Sequence, residues 1–212
     1  RITLPSCLIW DDCPGDIKAQ IYAALDELEV AGVECTNVDG SLLDVAFDHY
    51  RSSGIAATEC KAFLDQELPE WLDIIHPTIG HRLEASRSLS GPDYAFAVEE
   101  HYRFMSLANR LFEEGALLAL PATIITPPPV AELDDMRVYL KTNMTALRPT
   151  CCVNMLGLCA LTIPVGLDDE GMPVGLQLVG AAGADEVVLA AGLAIERALG
   201  TARDRLGTPV CA

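Results

Sequence analysis

The sequence is short of positive charge. Lysine and arginine together number 14 against 31 aspartates and glutamates, a net charge of −17 over 212 residues. Such a surface repels phosphate backbones and argues against direct nucleic-acid binding. Long apolar runs are also missing. No stretch of eighteen or more apolar residues occurs, so nothing reads as a membrane-spanning helix. Eight cysteines are present, but no two stand in C-x-x-C spacing, and no Cys/His cluster has the spacing of a zinc site. They read as buried or half-buried free thiols, as in a reducing cytoplasm. The chain does not open on methionine and shows no signal peptide. Its first segment reads as a buried strand entering mid-architecture, the expectation for a piece of a longer polypeptide.

Half of the residues are hydrophobic and about a fifth are charged, a globular balance. Residues 6–10 (SCLIW) read as a first strand. Asp12 and Pro14 signal a helix start. Ile17, Ile21, Leu25 and Leu28 then fall on one helical face, and Gly32 stops the helix. Val33 to Val38 form a second strand, predicted to run parallel to the first. From Ser41 to Glu114 the pattern is helical, divided at Pro69, Pro77 and Ser90-Gly91-Pro92, with a last helix from Asp93 to Gly115. Residues 116–125 are a nearly continuous apolar run, as in a strand covered on both faces. The triple proline Pro127-Pro128-Pro129 makes a stiff extended loop after it. Residues 136–158 return to helix and loop. Strands over 159–165 and 173–179 flank an acidic turn, Asp168-Asp169-Glu170-Gly171, and a helix over 185–199 closes the pattern. With no internal repeat or interdomain linker, residues 1–212 read as a single α/β unit.

Two adjoining segments carry a family resemblance. Asn154-Met155-Leu156-Gly157-Leu158-Cys159-Ala160-Leu161-Thr162-Ile163-Pro164-Val165-Gly166 resembles the amidase-signature pattern N-x-x-G-L-x-A-x-x-x-P-x-G. Asp168-Asp169-Glu170-Gly171-Met172-Pro173-Val174-Gly175-Leu176-Gln177-Leu178-Val179-Gly180 is similar to that family's D-x-x-G-x-P-V-G-L-Q-L-V-G. Leu118 to Pro129 looks like its strand and T-P-x-x-P loop, and Asp93-Tyr94 with Ala97 resembles the helix before that strand. The resemblance implies an α/β fold, the C-terminal half of an amidase-signature fold, with a mixed β-sheet flanked by α-helices.

That family cleaves amides with a serine nucleophile activated through a second serine and a lysine, beside a Gly/Ser-rich oxyanion loop. A lysine can act as the base only where burial lowers its pKa. The loop, roughly G-G-S-S-G-G-S, is not in this sequence. Its nearest string, Ser52-Ser53-Gly54, sits in a helical stretch and reads as a helix end. The three lysines, Lys18, Lys61 and Lys141, read as solvated. No residue is therefore assigned a catalytic role. The triad is expected from a missing N-terminal half, and the chain alone is expected to be inactive.

The resemblance places three residues on the substrate wall. His101 stands where many relatives carry arginine. Arg148 could clamp an anion bidentately, and Asn154 could donate to a carbonyl or cap local backbone. No metal or cofactor is implied. The expected activity is hydrolysis of a small carboxamide to an acid plus ammonia or amine. The alternatives are a glutaminase subunit for tRNA amidation and a non-catalytic remnant that binds rather than cuts. The expected partners are a small-molecule amide and the missing half of the amidase domain. Without that half, unpaired sheet edges predict poor solubility, a homo-dimer or loose packing, in a cytoplasmic setting.

Overall fold

The structure, a computed structural model, describes residues 1–85 and 88–208; Cys211 lies outside them. The opening strand sits earlier than the sequence suggests. Strand β1 is Ile2–Ser6, and Leu8–Asp12, which holds most of the SCLIW run, is a short helix, α1. The cause is a distant cap. Both Asp44 carboxylate oxygens accept from the Leu8 N–H, at 3.1 and 3.2 Å, and so satisfy a helix-start donor that no neighbouring side chain reaches. Helix α2 (Gly15–Val30) buries Ile17, Ile21, Ala24, Leu25 and Leu28 along one face. Strand β2 (Cys35–Asp39) pairs in parallel with β1, Ile2 opposite Cys35.

Helices α3 (Ser41–Ser53), α4 (Ile55–Glu67), α5 (Pro77–Ala85) and α6 (Gly91–Leu107) fill the next section. Gly54, at φ 68°, separates α3 from α4 in a conformation few other residues adopt cheaply. Ser90 caps α6 by accepting from the Asp93 N–H. The helix expected to reach residue 115 instead tightens to a 3₁₀ turn over Ala108–Gly115. Strand β3 (Leu117–Pro121) is buried at every position. The apolar run continues past it, and Ile124 is buried from the loop rather than from the sheet. Helix α7 (Met136–Met155) starts at Asp135, whose carboxylate accepts from the Arg137 and Val138 N–H groups. Strands β4 (Cys159–Leu167) and β5 (Pro173–Gly180), then helices α8 (Asp185–Leu199) and α9 (Ala202–Leu206), complete the order.

The five strands form one mixed sheet in the order β2-β1-β3-β5-β4. β2, β1 and β3 run parallel, and β5 is antiparallel to both β3 and β4. Helices α2, α8 and α9 pack on the β4–β5 side, while α3 packs against α6 and α7. Leu118, Leu120, Leu176 and Leu178 are fully buried at the centre. A side chain on Gly192 would meet Leu161, so this glycine lets α8 lie close on β4. The opposite face of α8 exposes Val187, Leu189 and Leu193 to solvent. Among the described residues no helix is long and apolar enough to cross a membrane.

Pro121, at the end of β3, stands opposite Leu176, near the start of β5. The proline-rich loop after β3 and the β4–β5 turn therefore emerge at the same end of the sheet. Leu118→Ala is expected to cost about 2–5 kcal/mol, the range for deleting a fully buried leucine. Val30→Ala, at a position 91% exposed, is expected to stay within about 0.5 kcal/mol. Urea unfolding followed by circular dichroism checks both.

Candidate functional site

Helix α7 is the axis of the candidate site. Residues at steps of three and four put Tyr139, Thr142, Asn143 and Ala146 on one face and Lys141, Met144, Thr145 and Arg148 on another. The first of these faces lies against the loop after β3, and the other is turned toward α3.

On the loop side, Thr123, Ile125, Pro127, Pro128 and Leu133 close a cavity of about 260 Å³ against that face. Its walls are mainly apolar. Two of the wall residues carry a buried polar atom without a hydrogen-bond partner, Thr123 Oγ1 and Asn143 Nδ2. Both atoms are closed off from solvent as the side chains stand, and leaving such a group unpaired costs about 1–3 kcal/mol. An amide N–H₂ donor and a hydroxyl in an apolar recess suit a small neutral polar group such as a carboxamide.

The loop is held from the β4–β5 turn. Asp168 accepts from the Thr126 hydroxyl at 2.7 Å through one oxygen, and from the Met172 and Glu170 N–H groups at 2.7 and 3.1 Å through the other. Burial pushes the Asp168 carboxyl up, but these three donors outweigh it and leave the group below its ordinary value. The opening aspartate of the D-x-x-G motif thus ties the turn to the proline-rich loop. Gly175 has a related role. A Cβ there would meet Ala122 and Thr162, so the glycine lets the loop and β4 close on β5.

On the α3 side, Arg148 reaches a second cavity with Phe47, Arg51, Lys141, Met144 and Thr145. Its Nη1 pairs with Asp12 at 2.5 Å, and its guanidinium carbon lies 5.3 Å from the centre of the Phe47 ring. Its Nε is buried without a partner. His101 sits elsewhere, between α6 and α3. Its ring lies nearly parallel to that of His49, centroids 6.4 Å apart, with His101 Nδ1 and His49 Nε2 both unpartnered. Burial first, and His101 second, hold the His49 imidazolium below its ordinary pKa against the opposing pull of the Ala97 carbonyl and Glu100. Asn154 is exposed near the end of α7. Of the three residues singled out from sequence, Arg148 lines a cavity, and His101 and Asn154 line neither of these two.

The groups expected to be inert have local roles. Ser52 donates to the Asp48 carbonyl, and Ser53 accepts from the Ile55 N–H. Lys18 donates to the Asp11 carbonyl. Lys61 departs from expectation: its side chain is largely covered, and its ammonium is held by Asp65 one turn away. Burial raises the Cys7 and Cys13 thiols to about 11 and Cys152 to about 12, leaving them protonated at neutral pH.

Sequence reasoning did not single out Thr123, Tyr139 or Asn143. The 3–4 spacing of Tyr139, Thr142, Asn143 and Ala146 was the available signal. What it lacked was the knowledge that the proline-rich loop folds over that face.

The amidase family model matches residues 1–189. A 2-amino-5-chloromuconic acid deaminase of Comamonas testosteroni is 34% identical over 99% of this chain and 45% of its own length. A fatty acid amide hydrolase of Medicago truncatula is 31% identical over 56% of this chain and 20% of its own. Among solved structures, an amidase crystal structure superposes with a TM-score of 0.78 at 24% identity, covering 94% of this chain and 46% of that one. A 6-aminohexanoate cyclic dimer hydrolase gives 0.79 at 20% identity, covering 97% and 46%. The two structures bear on the fold alone. The chain spans about half the length of the relative from Comamonas testosteroni.

Asp168 gives a pH test. Its lowered pKa means that its contribution to stability is present above the unfolded-state value of about 3.9 and is lost as pH falls through the folded value. Asp168→Asn is expected to be about 1–3 kcal/mol less stable at pH 7. The gap should narrow as pH falls below about 4, where the wild type loses what the variant never had. Urea midpoints at pH 7, 4 and 3 measure it; a gap that is constant with pH would show that the carboxylate charge plays no part.

Proposed function

The chain belongs to the amidase family, and from that membership we propose that it forms part of the substrate wall of an enzyme that hydrolyses a small carboxamide. The products are a carboxylic acid and ammonia or an amine. The observation that carries the reading is the cavity beside α7, where Thr123 Oγ1 and Asn143 Nδ2 stand buried and unpartnered in apolar surroundings. In this reading the Asn143 and Thr123 side chains turn into the recess when substrate enters, Asn143 Nδ2 donating to the substrate carbonyl or its acid product and the Thr123 hydroxyl suiting the amide nitrogen. The proline-rich wall excludes water and fixes the amide plane. The relative from Comamonas testosteroni is by its name a deaminase of a small acid, which fits a substrate of this size.

In this reading the serine nucleophile and its lysine-assisted activation come from polypeptide outside these 212 residues. The serine adds to the carbonyl carbon, the amine leaves with a proton, and water releases the acid from the acyl-enzyme. Arg148 belongs to the same wall on the α3 side. His101 and Asn154 are proposed for the part of the wall completed by the rest of the enzyme. In the cell, the exposed apolar stripe of α8 and the outer strands β2 and β4 suit contact with further polypeptide.

The test is reconstitution. The chain is co-expressed with the Gly/Ser-rich half of an amidase-family relative, the assembled pair is purified, and ammonia release is measured over a panel of small carboxamides. Release is expected, and it should vanish when the nucleophilic serine in the supplied half is replaced by alanine. Asn143→Ala is expected to lower kcat/KM by about tenfold or more with little change in unfolding midpoint. An assembled, folded pair that releases no ammonia from any carboxamide would overturn the reading.

A further inference from the structure

A larger cavity, about 470 Å³, stands apart from the one beside the proline-rich loop. It lies among α3, α4, α5 and α7, lined by Tyr50, Arg51, Ala57, Arg82, Leu89 and Met144 among others. Its charge runs against that of the chain. The sequence carries 31 acidic residues and 14 basic ones, yet among the described residues two arginines and no carboxylate line this space.

The two guanidiniums are weakly neutralised. Arg82 donates to the Tyr50 hydroxyl at 3.2 Å. Burial first, and then the Cys151 thiol, hold that hydroxyl above its ordinary pKa, so it is a neutral partner that orients the guanidinium without cancelling its charge. Arg51 pairs with Asp48 at 3.2 Å, but both side chains are mostly exposed, at 56% and 72%, and such a pair is worth little. The remaining wall is largely apolar, supplied by Ala56, Ala57, Leu89 and Met144. Arg51 and Met144 also line the cavity that Arg148 and Lys141 reach, so the two spaces adjoin along α7.

We propose that this cavity binds the carboxylate of a small organic acid, with Arg82 and Arg51 as its cationic contacts and the apolar wall against its carbon body. A guanidinium fork matches a carboxylate in geometry as well as charge. Inorganic phosphate offers the charge but nothing for the alanine, leucine and methionine surface to cover. The inference does not depend on the amide-hydrolase reading, since it concerns a different space from the recess beside the proline-rich loop. The cavity meets α7 at Met144, on the face turned away from the recess proposed to hold the amide, so the acid is a ligand in its own right.

Calorimetric titration of the 212-residue chain tests it without any need for turnover, so it stands or falls separately from the reconstituted hydrolysis. The probes are adipate, its uncharged diamide and inorganic phosphate. Adipate is expected to bind at least about tenfold more tightly than either of the others. Arg82→Gln and Arg51→Gln are each expected to weaken adipate by about tenfold or more, while Arg103→Gln, on the exposed surface of α6, leaves it unchanged. Arg51 is exposed, so its variant keeps the test open if Arg82→Gln does not fold; thermal unfolding monitors both. Equal binding of adipate and its diamide, binding of phosphate as tight as adipate, wild-type affinity in both arginine variants, or no adipate binding to the folded chain would each overturn the proposal.

Discussion

A single buried carboxylate joins the two stretches of backbone that enclose the cavity beside α7. Asp168 sits in the β4–β5 turn, but its reach is to Thr126, 42 residues earlier in the chain. The loop between β3 and α7 is rich in proline and cannot hold itself to a sheet, because proline has no N–H to donate. Thr126 gives the loop one strong point of attachment, and Gly175 allows the backbone to come close enough to use it. The antiparallel turn at β5 is what makes this possible, since it brings a late hairpin to the same end of the sheet as the end of β3. The D-x-x-G-x-P-V-G pattern is therefore a description of how a loop is fastened as much as of a hairpin.

Charge is segregated in this molecule. A net charge of −17 describes the surface as a whole and not the neighbourhood of α7. Over a screening length of about 8 Å in physiological salt, local groups decide the potential. Along the seam between α3 and α7, Arg51, Lys141 and Arg148 line one cavity, with Arg82 beside the next. The carboxylates paired with them, Asp12 and Asp48, lie on the exposed side, and half-buried Asp44 is a third close enough to feel Arg148. An acidic exterior with a basic seam repels stray polyanions such as nucleic acid while leaving small anions a place to dock.

Much of the architecture was legible because its signals are local. Helix α8 runs over the residues its apolar spacing marks, α2 ends where Gly32 follows, and the hairpin brackets its acidic turn. The first strand was misplaced because the residue that starts α1 is Asp44, far along the chain, and a period of apolar residues carries no trace of it. The same limit applies to the site. Arg148 was legible as a polar residue beside a recognised motif. Its partner Asp12 is 136 residues away, and the Arg51–Arg82 space is assembled from four helices that no local pattern orders. His101 was legible as a position in a helix but not as half of a stacked imidazole pair, since His49 stands on another helix.

The cysteines give the molecule a practical property. Sulfur reacts with alkylating reagents as the anion, and Cys7, Cys13 and Cys152 hold their protons to about 11 or 12 inside the core. Cys60, by contrast, faces solvent on α4, about one turn beyond the alanines that wall the 470 Å³ cavity. A fluorescent label attached there would stand on a helix that walls that space without replacing any residue of its lining, so that the protein carries its own mounting point for an optical reporter of what enters.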